Sequence, residues 1–152
     1  MANLFPTEET KATPEITEAQ TDRLVKFPKS WKFDFDTGEF VFTPTGKIIE
    51  TQDMAAWLEW CKKALQTTRY RHLIYSRNYG QEFEDLISRY FDRAGNESEI
   101  KRITTECLMV DPRTSAVKNF TFDWISNAVY FTCEVLSVRD ELGIISGSVV
   151  LS

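Results

Sequence analysis

The chain is poor in the residues that most catalytic and metal centres use. It has one histidine, His72, and three cysteines, Cys61, Cys107 and Cys133, spread far apart over 152 residues. Nucleophilic thiol chemistry needs a base beside the sulfur, and a zinc centre needs four ligands at close spacing. Neither pattern occurs. An odd number of widely separated cysteines argues for three reduced, buried thiols rather than a disulfide framework. Cation excess is also missing. A formal net charge of −5 leaves no surplus to displace counterions from phosphates, which argues against a nucleic-acid partner. No run approaches the ~18 apolar residues of a membrane span. The first residues lack the basic-then-apolar layout of a secretory signal, so neither membrane nor export is expected. The six glycines form no phosphate-cradling loop.

Aromatic residues are plentiful. Eleven Phe and four Trp imply a dense core, or a core plus adhesive surfaces. The length fits one domain with a real core. Residues 1–27 stand apart, being rich in Thr, Glu and Ala with little periodicity. Such a segment cannot bury enough apolar surface to offset its ordering entropy. It reads as an arm, either a disordered tail or a segment whose Leu4-Phe5 and Leu24-Val25 dock on a partner. The domain proper is then 28–152.

Within it, 31–42 predicts a hairpin. Trp31, Phe33 and Phe35 alternate with polar residues, Asp36-Thr37-Gly38 supplies the turn, and Phe40 and Phe42 return. Pro44-Thr45-Gly46 breaks the chain. A helix follows from Asp53 to Gln66, with Asp53 able to cap it. Met54, Trp57, Leu58, Cys61 and Leu65 share one face, and Trp60 lies beside it. Residues 72–76 (HLIYS) predict a short apolar strand. A second helix is expected over 81–92, carrying Phe83, Leu86, Ile87, Tyr90 and Phe91. Gly95 interrupts, and Asn96 with Glu99 opens a third helix. That helix buries Ile100, Ile103, Cys107 and Leu108 and ends at Asp111-Pro112, because proline cannot continue the ladder. The last third is β. Phe120, Phe122 and Trp124 alternate with Thr121 and Asp123, Ser126-Asn127 turns, Val129 to Val135 alternate again, and 144–151 forms a final run. The order ββ-α-β-α-α-βββ is an α+β fold.

Glycoside hydrolysis would need two carboxylates opposed across a cleft. Glu82, Glu84 and Asp85 instead cluster where a helix dipole favours them, as do Glu97 and Glu99. Glu106 stands alone near a helix end. The basic residues Arg69, Arg71, Arg77, Arg89, Arg93, Lys101, Arg102 and Arg113 form either a rim of ion pairs or a docking surface for acidic neighbours. Asp111-Pro112-Arg113 places an arginine on a stiff corner, where binding costs it little entropy. The final run contains Ile144, Ile145, Val149, Val150 and Leu151 and no charge at all. Left at a sheet edge it would invite another strand; alternatively it lies centrally in its own sheet.

Several segments taken jointly are distinctive: Trp31-Lys32-Phe33-Asp34-Phe35, Trp60 with Lys63-Ala64-Leu65, Thr68-Arg69-Tyr70-Arg71, Ile74-Tyr75-Ser76, Tyr79-Gly80 and Glu84-Asp85-Leu86-Ile87. From Pro28 to Ser152 the chain resembles the XkdS-like baseplate proteins of contractile phage tails and tail-like bacteriocins. These belong to the sheath-initiator and wedge superfamily, long labelled "lysozyme-like". The resemblance implies a structural protein rather than an enzyme, with no cofactor. It implies as partners the sheath protein and the baseplate wedge proteins, with the tail tube as a further candidate, in a sixfold assembly. The place implied is the tail baseplate of a virion or bacteriocin particle, assembled in the host cytoplasm. It further implies that the edge strand nucleates the sheath by strand augmentation. A Glu-Pro-Arg motif of the superfamily, which helps knit the wedge, maps onto Asp111, Pro112 and Arg113, with Asp shortening the carboxylate reach by one methylene. The partner-binding residues expected are therefore Asp111, Pro112, Arg113, Ile144, Ile145, Val149, Val150 and Leu151. A peptidoglycan-cleaving, lysozyme-like glycosidase is the alternative.

Overall fold

The computed structural model describes residues 25–151. Leu4, Phe5 and Leu24 of the expected arm lie outside the described residues. The fold is α+β, with short N-terminal strands, three helices and a C-terminal three-stranded antiparallel sheet.

The N-terminal strands are small. β1 (Ser30–Trp31) pairs antiparallel with β4 (Glu50–Thr51), and β2 (Phe33–Asp34) with β3 (Glu39–Phe40). The turn forms as the Asp-Thr-Gly composition dictates. The Asp34 carboxylate accepts from the Asp36 and Thr37 amides, and Gly38 takes φ +74°. Those amides hold the Asp34 carboxyl below its ordinary pKa. Pro44-Thr45-Gly46 closes a second tight turn, so Phe42 bridges Ile48. The hairpin lies on the first helix, α1 (Asp53–Gln66), through its aromatic rings. Lys62 stands 5.7 Å from the Phe35 ring, Lys63 stands 5.6 Å from the Phe33 ring, and the Phe33 amide donates to Glu59.

Helix α1 buries Trp57, Cys61 and Leu65 along the expected face. Asp53 does not cap it. Gln52 occupies the cap position without a side-chain hydrogen bond, Asp53 has φ +49°, and its carboxylate pairs instead with Arg139 at 3.3 Å. The long-range ion pair has replaced the local cap.

Residues 72–76 are not a strand. They lie in a loop turned by Tyr75 N–H to His72 O and Tyr79 N–H to Ser76 O, with Leu73 and Ile74 in solvent. Among the described residues no strand pairs with this run, so its β composition finds no ladder. The second helix is also shorter than expected, α2 (Glu84–Arg89). Gln81 is spent on a bridge to Thr68, and Tyr90 enters the left-handed region at φ +49°, which ends the helix. Leu86 is buried, as is Phe83 just before the helix, whereas Ile87, Tyr90 and Phe91 are exposed. The third helix, α3 (Arg93–Met109), starts earlier than Asn96 because Asp92 caps it, accepting from the Gly95 amide at 2.7 Å. Gly95 therefore lies inside the helix. Ile100, Ile103, Cys107 and Leu108 are buried as their spacing requires.

The C-terminal strands are β5 (Thr114–Ile125), β6 (Ala128–Ser137) and β7 (Leu142–Val150), in the order β5-β6-β7. Val129, Phe131, Cys133 and Val135 of the central strand, with Ile145 and Val149 of β7, face the helices and close the core. Helix α3 packs on β5 and α1 packs on β7. The Trp57 indole N–H donates to the Thr114 hydroxyl at 3.1 Å, satisfying a polar group inside that core.

Candidate functional site

Strand β7 lies at the edge of its sheet rather than in the centre. Its parity follows from two hydrogen bonds that flank it. Ser137 N–H donates to Glu141 O, and Leu151 N–H donates to Asn127 O, each at 2.9 Å. Both belong to the same register as Val149↔Val129 and Ile145↔Cys133. Antiparallel ladders alternate bonded and non-bonded pairs. The odd-numbered residues of β7 therefore point their N–H and C=O at β6. Leu142, Ile144, Ser146, Ser148 and Val150 point theirs away from it, and among the described residues no backbone hydrogen bond reaches them.

The two edges of the sheet differ. β5 has register irregularities between Thr114 and Ala116 and between Lys118 and Thr121. Asn119 sits at φ +54° in the second, and Lys118 and Asp123 add charge. Bulges and charges are the devices that blunt an edge. β7 has neither: its register runs unbroken from Leu142 to Val150, without one charged residue. Beside it lie two grooves. One, of about 760 Å³, is lined by Leu65, Phe83, Ile87, Phe131, Gly147 and Val149 among others. The second, of about 610 Å³, lies between the β2–β3 hairpin and α1, and both grooves touch Gln66 and Ser146. Gly147 lines the first groove. A Cβ there would stand 2.6 Å from the Phe131 ring, so the aromatic of β6 fills the space that a side chain would take.

Not every expected contact residue of the edge is free. Ile145 and Val149 are core residues, Leu151 is partly buried, and Ile144 and Val150 are exposed on the outer face.

The corner after α3 is internally satisfied. Arg113 forks onto Asp111, Nε to Oδ1 at 2.9 Å and Nη2 to Oδ2 at 2.6 Å, and its own amide donates to Oδ1 at 2.8 Å. Both side chains are buried, while Pro112 between them is exposed. The guanidinium stands 5.9 Å from both the Phe27 and Trp60 rings. Arg139 covers Phe27 at 4.0 Å. Trp60 continues outward as a stack of rings: Tyr79 at 5.8 Å, then Tyr75 at 4.6 Å, then His72 at 6.0 Å. Sequence reading missed this stack. The only trace of it is Trp60 lying off the helix stripe, with Tyr75 and Tyr79 four residues apart.

Many of the other titratable groups are buried or ion-paired. Burial pushes the Cys107 and Cys133 thiols up to about 12 and Cys61 higher still. Glu82 pairs with Arg69, Glu84 with Arg71, and Glu99 with Arg89 and Arg102; Glu106 also pairs with Arg102, and Glu97 accepts from the Trp124 indole. Arg69, Arg71, Arg89 and Arg102 thus form a rim of ion pairs, extended by Arg93 over Trp124 and Lys101 over Phe122. Among the described residues no group of three or more His, Cys, Asp or Glu could hold a metal ion. No described helix is long and apolar enough to cross a membrane.

Among the described residues, the helix-backed sheet has one edge blunted by bulges and charge and one uncharged edge with no strand paired to it. The comparisons with known proteins give this architecture its family. The contractile injection system sheath initiators match residues 29–140. The phage-like element PBSX protein XkdS of Bacillus subtilis (strain 168) is 31% identical over 116 residues, covering 73% of this chain and 77% of that protein. The chain belongs to the contractile injection system sheath initiator family. It is a structural component of a contractile phage-type tail, acting with sheath and baseplate components at the particle.

Proposed function

We propose that this protein nucleates the sheath by strand augmentation and links the sheath to the baseplate wedge. The observation that carries this reading is the edge of β7, where five residues aim outward backbone groups that are unpaired among the described residues, along an unbroken, uncharged strand. A sheath strand added there satisfies those groups, and its inward side chains enter the groove at Gly147. Holding the strand at fixed geometry lowers the cost of starting the first sheath ring. Ile145 and Val149 anchor the template to the core, and Ile144, Val150 and Leu151 flank the added strand.

The wedge contact is assigned to the Asp111-Pro112-Arg113 corner. Pro112 is the exposed element of it, and the buried Asp111–Arg113 fork keeps it stiff. In this reading residues 28–152 are the working domain and residues 1–27 the arm, whose last residue, Phe27, packs on Arg113 and Arg139 while the segment before it meets a partner. Several copies stand in a sixfold baseplate assembled in the host cytoplasm, with the tail tube adjacent.

Deleting the last strand does not test this cleanly, because Ile145 and Val149 are part of the core. Proline at Ser146 and Ser148 does. Both N–H groups face away from β6, so the ladder is spared while the edge loses two donors. The Ser146→Pro/Ser148→Pro variant should fold and bind wedge proteins but fail to start a sheath. A doubly substituted protein that starts sheaths at the wild-type rate would refute the reading.

A further inference from the structure

The loop between Arg69 and Gln81 is not used by the edge strand or the corner. Its stem is clamped. Arg69 N–H donates to Gln81 O at 2.8 Å and Gln81 N–H to Thr67 O at 2.9 Å, while the Arg69 side chain holds Gly80 O and Glu82. Gly80 closes the stem at φ +100°, where a Cβ would lie 2.5 Å from Thr67 O. One flank is stiffened by the rings of Tyr79, Tyr75 and His72. At the tip this rigid loop presents Leu73, fully exposed, and Ile74 at 86% exposure, with Tyr70 also in solvent.

A clamped loop that holds two aliphatic side chains in water is organised for burial elsewhere, because ordering it on binding costs little further entropy. Its charge defines the occupant. From Arg69 to Gln81 there are three arginines and one histidine and not one acidic residue, in a chain whose net charge is −5. Arg71 meets Glu84 only in an exposed pair, and Arg77 has no ion pair among the described residues.

We propose that this loop is a plug for a second protein subunit of the particle: Leu73 and Ile74 enter an apolar pocket on that subunit, and acidic residues around the pocket meet Arg71 and Arg77. The proposal rests on the particle role but not on sheath nucleation. It gives the chain a contact distinct from the β7 edge, joined through the Trp60–Tyr79–Tyr75 rings to the Arg113 corner.

The test places a photo-crosslinking residue at position 73, and separately at 74, in the full chain within purified particles. The adduct is then identified by peptide sequencing. The expected adduct is one segment of a different particle protein, apolar at the site and carrying Asp or Glu close by. Adducts to a second copy of this chain, to lipid, to the sheath strand paired with β7, or to nothing would overturn the proposal. In the same particles, L73D/I74D should lower the amount of this chain retained on sheathless baseplates by roughly tenfold or more. Arg77→Glu should lower it by a smaller factor that shrinks as salt rises. All of these side chains are in solvent, so the melting temperature should not move. Retention within twofold of wild type in L73D/I74D would overturn the assignment.

Discussion

Replacing Arg113 with methionine probes the corner most sharply. Methionine keeps the apolar stem and removes the guanidinium. Asp111, 7% exposed, would lose the bonds at 2.9 and 2.6 Å and keep only the amide bond at 2.8 Å. A buried carboxylate stripped of its cation costs about 3–5 kcal/mol. That is a large share of the roughly 5–15 kcal/mol that holds a domain together. At about 2–4 °C per kcal/mol for a chain near this size, the melting temperature should fall by roughly 6–20 °C. Urea unfolding of wild type, Arg113→Met, Asp111→Asn and the double variant forms a complete cycle. The double variant should recover much of the loss, because no charge is then left unpaired, giving a coupling of about 2 kcal/mol or more. Arg113→Lys should fall between wild type and Arg113→Met, since a point charge cannot reproduce the fork. A loss below about 1 kcal/mol for Arg113→Met, or additive single effects, would refute the argument that the pair is mutually dependent.

Three further outcomes are expected. Native protein at pH 8 should react with a thiol reagent at none of its three cysteines until it unfolds, because burial raises each thiol well above ordinary values; rapid labelling would contradict that burial. Gly147→Leu should cost about 1–3 kcal/mol by urea unfolding, since the Phe131 ring occupies the place of the new Cβ; an unchanged midpoint would show that the ring yields freely. The carboxyl of Glu99 is depressed chiefly by its hydrogen bonds from Arg102. Its stabilising contribution is thus present above the unfolded value near ~4.3 and is lost as pH falls through the lower folded value. Arg102→Gln should remove under about 1 kcal/mol of stability at pH 7 and nothing at pH 2, for a partly exposed pair; equal losses at both pH values would exclude the ionic account.

Legibility in the sequence followed how local each determinant is. Helix α1 was readable to its ends because a periodic apolar face is written in consecutive residues. So were the inward residues of β6, whose alternation survives a central position. The start of α3 was misplaced because Gly95 resembles an interruption, whereas the cap comes from Asp92 three residues before it. Residues 72–76 misled for a different reason. Their apolar composition suits a strand, but strands are made by partners, and a partner cannot be read from the segment itself. At the site, the uncharged last run was legible and its edge position was not, because strand order is a property of the whole sheet. The Asp111–Arg113 pair illustrates the same limit. Its stiffness was readable from the proline, but its burial against Phe27 and Trp60 depends on residues 53 or more positions from Arg113.

The most direct measurement of strand templating is amide hydrogen exchange of the full chain, alone and with purified sheath protein, resolved at single residues of β7. Odd-numbered amides of β7 are bonded to β6 in both states and should change little. Strand addition predicts new protection at Ile144, Ser146 and Ser148, whose N–H groups face outward. Sheath binding with those three amides still exchanging as in the free protein would contradict the account.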